Sequence, residues 1–204
     1  MAMNKINKIL VTLALVGTML FASAQYDITL SGHITNPNSD TLIILNGWEE
    51  QFHVTSLDKN RDFESEFEIE QGYYSLCDKK EQTTIYLGED YHLNLTLDTD
   101  SFDESIHYTG YGAEANNYLA AKALIREKWE LKNYYGYFCK LSETDFLHLT
   151  DSLYSASMNL LLESNVKDER FLKLEKTVSR MKESERLICI QRLTTTLQED
   201  PDTF

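Results

Sequence analysis

Four of the five histidines, His33, His53, His92 and His107, fall in one acid-rich half of the chain, where imidazole and carboxylate together could hold a transition metal. No two of them form a His-x-His pair, and scattered surface or edge histidines are the expectation. The run Asp98-Thr-Asp100-Ser-Phe-Asp103-Glu104 suggests a calcium loop. An EF-hand needs an oxygen ligand at its fifth position, Gly at the sixth and Glu at the twelfth. Here Phe102, Asp103 and Thr109 stand there, so only adventitious cation binding is expected.

The three cysteines, Cys77, Cys139 and Cys189, form no Cys-x-x-Cys, so the close dithiol of a thioredoxin-type site is missing. An odd number leaves at least one thiol free or intermolecular. Leu76, Phe138, Ile188 and Ile190 flank them, which reads as small core hydrophobes; a Cys139–Cys189 bridge between helices is the alternative. Neither a G-x-S-x-G nucleophile elbow nor a Gly-rich phosphate loop is expected. The acids of the 62–70 stretch sit two residues apart on an open β face, with no burial to raise the pKa of one for acid–base work. Asn94-Leu95-Thr96 matches a glycosylation acceptor by chance. No catalytic, cofactor-binding or metal-ligating residue is therefore assigned, and no cofactor is expected.

The elements that would position such groups come in three parts. Residues 1–24 join Lys5 and Lys8, the apolar run Ile9–Phe21 and Ala22-Ser23-Ala24, the pattern of a cleaved secretory signal. Cleavage after Ala24 and export to a bacterial periplasm or envelope are expected, with no membrane span left afterwards. From residue 25 to 110 the hydrophobic pattern has period two. Phe63, Ser65, Phe67 and Ile69 line one face of a strand while Asp62, Glu64, Glu66, Glu68 and Glu70 line the other. Turn residues at about ten-residue spacing divide the region into seven or eight strands, which predicts an antiparallel β-sandwich or barrel. From 111 to 204 the period becomes helical, and about three helices are expected. One carries Tyr118, Ala121, Ile125 and Trp129 on a face. A second, capped at Ser142, carries Phe146, Leu149, Leu153, Ala156 and Leu160. A third, starting near Lys167, carries Phe171, Leu174, Val178, Met181 and Ile188, interrupted by Glu185. The fold class is α+β.

Charge is unevenly spread. The chain has 19 Lys+Arg against 33 Asp+Glu, net −14, which argues against binding nucleic acid or anionic lipid. Residues 25–110 hold 18 acids and 4 bases; residues 111–204 hold 15 and 13. The β part is acidic, suited to cationic partners, and the helical part is nearly neutral.

Two stretches resemble one family. Tyr91–Lys122, YHLNLTLDTDSFDESIHYTGYGAEANNYLAAK, and the segment ITLSGHITNPNSDTLIIL with its Gly32 and Asn36-Pro37 turn are similar to exported bacterial thiol–disulfide interchange proteins of the TlpA-like type. The sharpest parts are the LDT-x-x-FDE run at Leu97–Glu104 and the TG-x-G-x-x-x-NNYL run at Thr109–Leu119. The resemblance covers residues 26 to about 180. It implies an N-terminal β domain of unknown function with a helical segment, the parts that in those proteins precede a thioredoxin-like domain. That family's Trp-Cys-x-x-Cys redox site has no counterpart in these 204 residues, so no catalytic residue carries over. The expected function is a non-enzymatic binding or docking module, engaging an unknown protein, an envelope component or a redox partner. One alternative is a redox participant acting through a single cysteine, with Cys139 near Lys132 and Lys140 the best placed, or a truncated oxidoreductase. The other is a structural or adhesive envelope protein whose acidic face binds divalent cations.

Overall fold

The computed structural model describes residues 25–128 and 141–178. Eight strands form two four-stranded sheets. The strands are β1 (Gln25–Thr35), β2 (Thr41–Leu45), β3 (Gln51–Ser56), β4 (Asp62–Glu70), β5 (Gly72–Cys77), β6 (Gln82–Leu87), β7 (His92–Asp98) and β8 (His107–Tyr111). The first sheet has the order β4-β1-β7-β8 and the second β3-β2-β5-β6. Helices follow: the single turn α1 (Phe102–Ser105), α2 (Ala113–Lys128), α3 (Glu143–Glu163) and α4, helical over 169–178. The α+β class, the strand count and the change of period near residue 110 all agree with the sequence. Among the described residues no helix is long and apolar enough to cross a membrane.

The period-two pattern becomes a sandwich because alternate side chains of both sheets meet in one core. Ile28, Leu30 and Ile34 of β1, Leu93, Leu95 and Leu97 of β7, Leu42 and Ile44 of β2, Leu76 of β5 and Ile85 of β6 share a single buried cluster. On β4 the acids are exposed while Phe63 and Ile69 are buried and Phe67 half-buried, as the alternation requires. One pair departs from the antiparallel expectation: β1 and β7 run parallel, Thr29 to Thr35 against His92 to Asp98. Alternation is the same for either direction, so it carries no information on this point. The chain reaches the parallel position by passing through the second sheet between β1 and β7. Gly32 makes the pairing close: a Cβ there would lie 2.1 Å from the Leu95 carbonyl oxygen.

The helices close the same core. Phe171 of α4 is fully buried and meets Tyr73, Tyr86 and Tyr118 edge-on, at centroid distances of 6.2, 4.9 and 5.8 Å. These tilted ring pairs suit the aromatic quadrupole. On α2 the expected stripe is displaced. Tyr118 is buried, but Ala115, Leu119 and Ala120 are deeper than Ala121 and Ile125, because the first turns of α2 are wedged between the two sheets and α4. On α3 the Ser142 cap is present: its hydroxyl accepts the Asp145 amide at 3.2 Å. Phe146, Leu149 and Leu153 form a small separate cluster, and Leu161 joins the main core. Trp129, Met181, Glu185, Ile188, Cys139 and Cys189, with Lys132 and Lys140, lie outside the described residues, as do residues 1–24.

Candidate functional site

The residues singled out by chemistry go to separate places. His33 Nδ1 lies 2.8 Å from Asp62 Oδ1 on the surface, and His92 and His107 are exposed on β7 and β8. His53 contacts Ser65 Oγ through Nε2 at 2.6 Å and stacks on Phe67 at 4.3 Å; burial pulls its pKa down and favours the neutral ring. Glu50, Glu89 and Glu104 each precede a histidine by three residues, a spacing that gathers ligands on a helix; these histidines are in strands. Among the described residues no three His, Cys, Asp or Glu side chains are grouped to hold a metal. Cys77 is a half-buried free thiol whose sulfur accepts the Lys79 amide at 3.3 Å. Asn94 donates to Ser31 Oγ at 3.0 Å.

The stretches behind the family resemblance are brought together as a set of clamps. Asp98 caps the turn that follows it by accepting the Asp100 amide at 3.1 Å. It also accepts from Asn36 Nδ2 at 3.0 Å, and the Thr99 hydroxyl donates to the Asn36 carbonyl. The LDT run and the Asn36-Pro37 turn are thus two halves of one junction. In the TG-x-G run, Gly110 and Gly112 hold φ of +95° and +94°, and a Cβ would lie 2.1 Å from the His92 carbonyl or 2.2 Å from the Tyr91 ring. The spacing Gly110-x-Gly112-x-x-Ala115 between a strand and a helix matches a dinucleotide-binding fingerprint, a likeness that sequence reading passes over. Here β8 is an antiparallel edge strand and the Tyr91 ring fills the space over Gly112, so the spacing serves packing.

Asn116 and Asn117 finish the clamp. Asn116 is buried; its Oδ1 accepts the Tyr86 amide at 2.8 Å and its Nδ2 donates to the Tyr86 and Gly112 carbonyls at 2.9 and 3.1 Å. Asn117 does the same to Tyr108 of β8, 2.8 Å in each direction. A side-chain amide presents the same donor–acceptor pair as a peptide, so each asparagine replaces a missing neighbouring strand.

The residue that sequence reading missed is Glu175, buried on α4. It accepts from Tyr73 OH at 2.6 Å and Tyr118 OH at 2.9 Å, and pairs with the Lys122 ammonium. Burial alone raises its pKa; the Lys122 charge and the three hydrogen bonds outweigh this and hold the carboxyl below its ordinary range. Burial first, and then the carboxylate they serve, push the Tyr73 and Tyr118 phenols up. Glu175 stands four residues after Phe171, on the buried stripe, and that placement was the one available sign. Asp168 works similarly at the start of α4, capping Phe171 N at 2.8 Å and accepting Tyr91 OH at 2.8 Å. Beside them opens a cleft of about 490 Å³, lined by Tyr26, Gln71, Tyr86, Arg170, Lys173 and Leu174 among others. Arg170 bridges its wall, donating to Tyr26 OH at 3.0 Å and Gln71 Oε1 at 2.5 Å.

The remaining feature is a surface. Trp48 is 85% exposed on the β2–β3 hairpin, and Phe52 and Val54 are 43% and 38% exposed on β3. Phe52 lies edge-on to Phe67 at 6.5 Å and 5.5 Å from Tyr74, which ties the patch to both sheets.

No protein-family profile and no curated protein matches the chain. Among solved structures it is similar to a DUF3823 family protein from Parabacteroides merdae, with 16% identity and a TM-score of 0.25, over 35% of this chain and 45% of that one. The overlap is less than half of either molecule and carries no argument about function.

Proposed function

We propose that the protein is an exported, non-catalytic binding module of the bacterial periplasm or envelope. We read it as a counterpart of the N-terminal accessory part of TlpA-like thiol–disulfide interchange proteins. The observation that carries the reading is how the resembling residues are used. Gly32, Asn36, Asp98, Thr99, Gly110, Gly112, Asn116 and Asn117 are all spent on backbone contacts, caps and tight approaches. A pattern of that kind preserves a scaffold, and a scaffold whose signature residues are engaged in its own packing acts through its surface. The acidic strand faces and the exposed Trp48, Phe52 and Val54 supply a surface for a protein partner.

Two measurements test this. Expressed with its own N-terminus in a Gram-negative host, the protein is expected in the periplasmic fraction with a mass that begins at Gln25. Insulin reduction with dithiothreitol should proceed no faster than with a variant in which Cys77, Cys139 and Cys189 are all serine. Retention in the cytoplasm at full mass, or turnover above that control, overturns the reading.

A further inference from the structure

The sandwich has four outer edges: β6 and β3 in one sheet, β8 and β4 in the other. Exposed edges recruit foreign strands, and proteins blunt them with charge, bulges or covering groups. On β6 the Asn116 amide occupies Tyr86, and on β8 Asn117 occupies Tyr108. On β4 five exposed acids, Asp62, Glu64, Glu66, Glu68 and Glu70, provide the charge. The β3 edge is different. Gln51–Ser56, QFHVTS, contains no Asp, Glu, Lys, Arg or Pro, and among the described residues no strand pairs on its far side.

Its free backbone groups can be placed. The Leu57 amide donates to the Asp40 carbonyl, so the adjacent Thr41/Ser56 pair is one that exchanges no hydrogen bonds. Two residues along, the Ile43/Val54 pair has the same character, and the N–H and C=O of Val54 and Ser56 face outward. The side chains of Phe52 and Val54 are exposed beside them, with Trp48 at the hairpin.

We propose that β3 accepts an added β-strand from a partner protein, an extended segment in which Lys or Arg alternates with apolar residues. Main-chain hydrogen bonds to Val54 and Ser56 would supply affinity, and Phe52, Val54 and Trp48 the apolar contacts. Charge selects the partner. Glu49 and Glu50 flank the strand, and the acids of β4 lie on the neighbouring edge, which His53 touches through Ser65. A second copy of this chain carries the same net −14 and is repelled. The proposal rests on the docking reading above and names the partner's chemistry.

The test uses the mature chain and a ten-residue peptide alternating Lys and Val, with a Glu–Val peptide as control. Amide hydrogen exchange is followed across the protein. The Lys–Val peptide should slow exchange at residues 51–56 at least tenfold, saturably, and less as salt rises; the Glu–Val peptide should not. V54P removes an outward-facing N–H, which an edge strand tolerates. It should keep the wild-type circular dichroism and weaken binding at least tenfold. If V54P does not fold, F52K/V54K, which leaves the backbone intact and repels a basic strand, should weaken binding to the same extent. Protection elsewhere or nowhere, equal response to the Glu–Val peptide, or undiminished binding by both variants overturns the proposal. So does a dimer dissolved by the same variants, since it would make a second copy the occupant. None of these outcomes touches the export and insulin measurements, so the docking reading is judged separately.

Discussion

Asn116 and Asn117 are neighbours in the chain yet serve different sheets, one pairing with Tyr86 and the other with Tyr108. Replacing Asn116 by Ala strips three buried backbone bonds. At about 1 to 3 kcal/mol for each buried group left unsatisfied, a loss of about 3 kcal/mol is expected in urea unfolding. N116D should be worse than N116A, because a carboxylate oxygen would face the Tyr86 and Gly112 carbonyls that now receive the amide. Equal stability of the two would show that the amide orientation is immaterial. Tyr108 makes the opposite case. Its hydroxyl is buried with no hydrogen-bond partner among the described residues, and burial pushes its pKa up. Y108F should therefore cost nothing and raise stability by up to about 1 kcal/mol. A clear loss of Tm would mean the hydroxyl is served after all. The sequence places Asn116-Asn117 in the run that carries the resemblance and says nothing of what they pair with, because edge backbone groups exist only once the strands are assembled.

At the scale of elements, α2, α4 and β5 are held together by Glu175, Lys122, Tyr118 and Tyr73. The folded carboxyl titrates below the ordinary Glu value of about 4.3 in an unfolded chain. Its stabilisation is therefore complete above that value and is lost as pH falls through the lower, folded one. E175Q should be destabilised at pH 7 by about 2 to 4 kcal/mol, since it leaves the Lys122 charge half-buried without its partner. The gap from wild type should shrink as pH drops below about 4. Thermal unfolding of both proteins between pH 3 and 7 reads this directly, and a constant gap would remove the ionised carboxylate from the account. The lock was hard to see in advance because its members lie 53 and 57 residues apart and Lys122 sits off the apolar stripe. The acidic face of β4 was easy to see because one strand's alternation is a local property.

For the whole molecule, charge and phenols set the working range. The acids of residues 25–110 are concentrated on strand faces and turns, so the folded state repels itself. Raising NaCl from about 10 to 200 mM shortens the screening length and should lift Tm by about 2 to 4 °C. A fall would show that attractive pairs dominate. At high pH the sign reverses. Burial, then Asp168, pushes Tyr86 up to about 12, and Tyr73, Tyr91 and Tyr118 are raised further. Their stabilisation is whole below the ordinary phenol value of about 10 and lost as pH rises above it, so unfolding should steepen between about pH 10 and 12.

By itself the chain determines its elements. Period two and turn residues set seven or eight strands, of which the structure has eight, period 3.6 sets the helices, and Ser142 marks the start of one of them, because these depend on neighbours in sequence. Tertiary structure alone decided that β1 and β7 run parallel, that two asparagines close two edges, that Glu175 meets Lys122 in the interior, and that among the described residues no strand hydrogen-bonds to the outer side of β3. The β1–β7 pairing, the Asn116–Tyr86 clamp and the Lys122–Glu175 pair join residues 30 or more positions apart, and even the nearer Asn117–Tyr108 clamp needs β8 already seated as an edge, so only the packed sandwich sets these contacts.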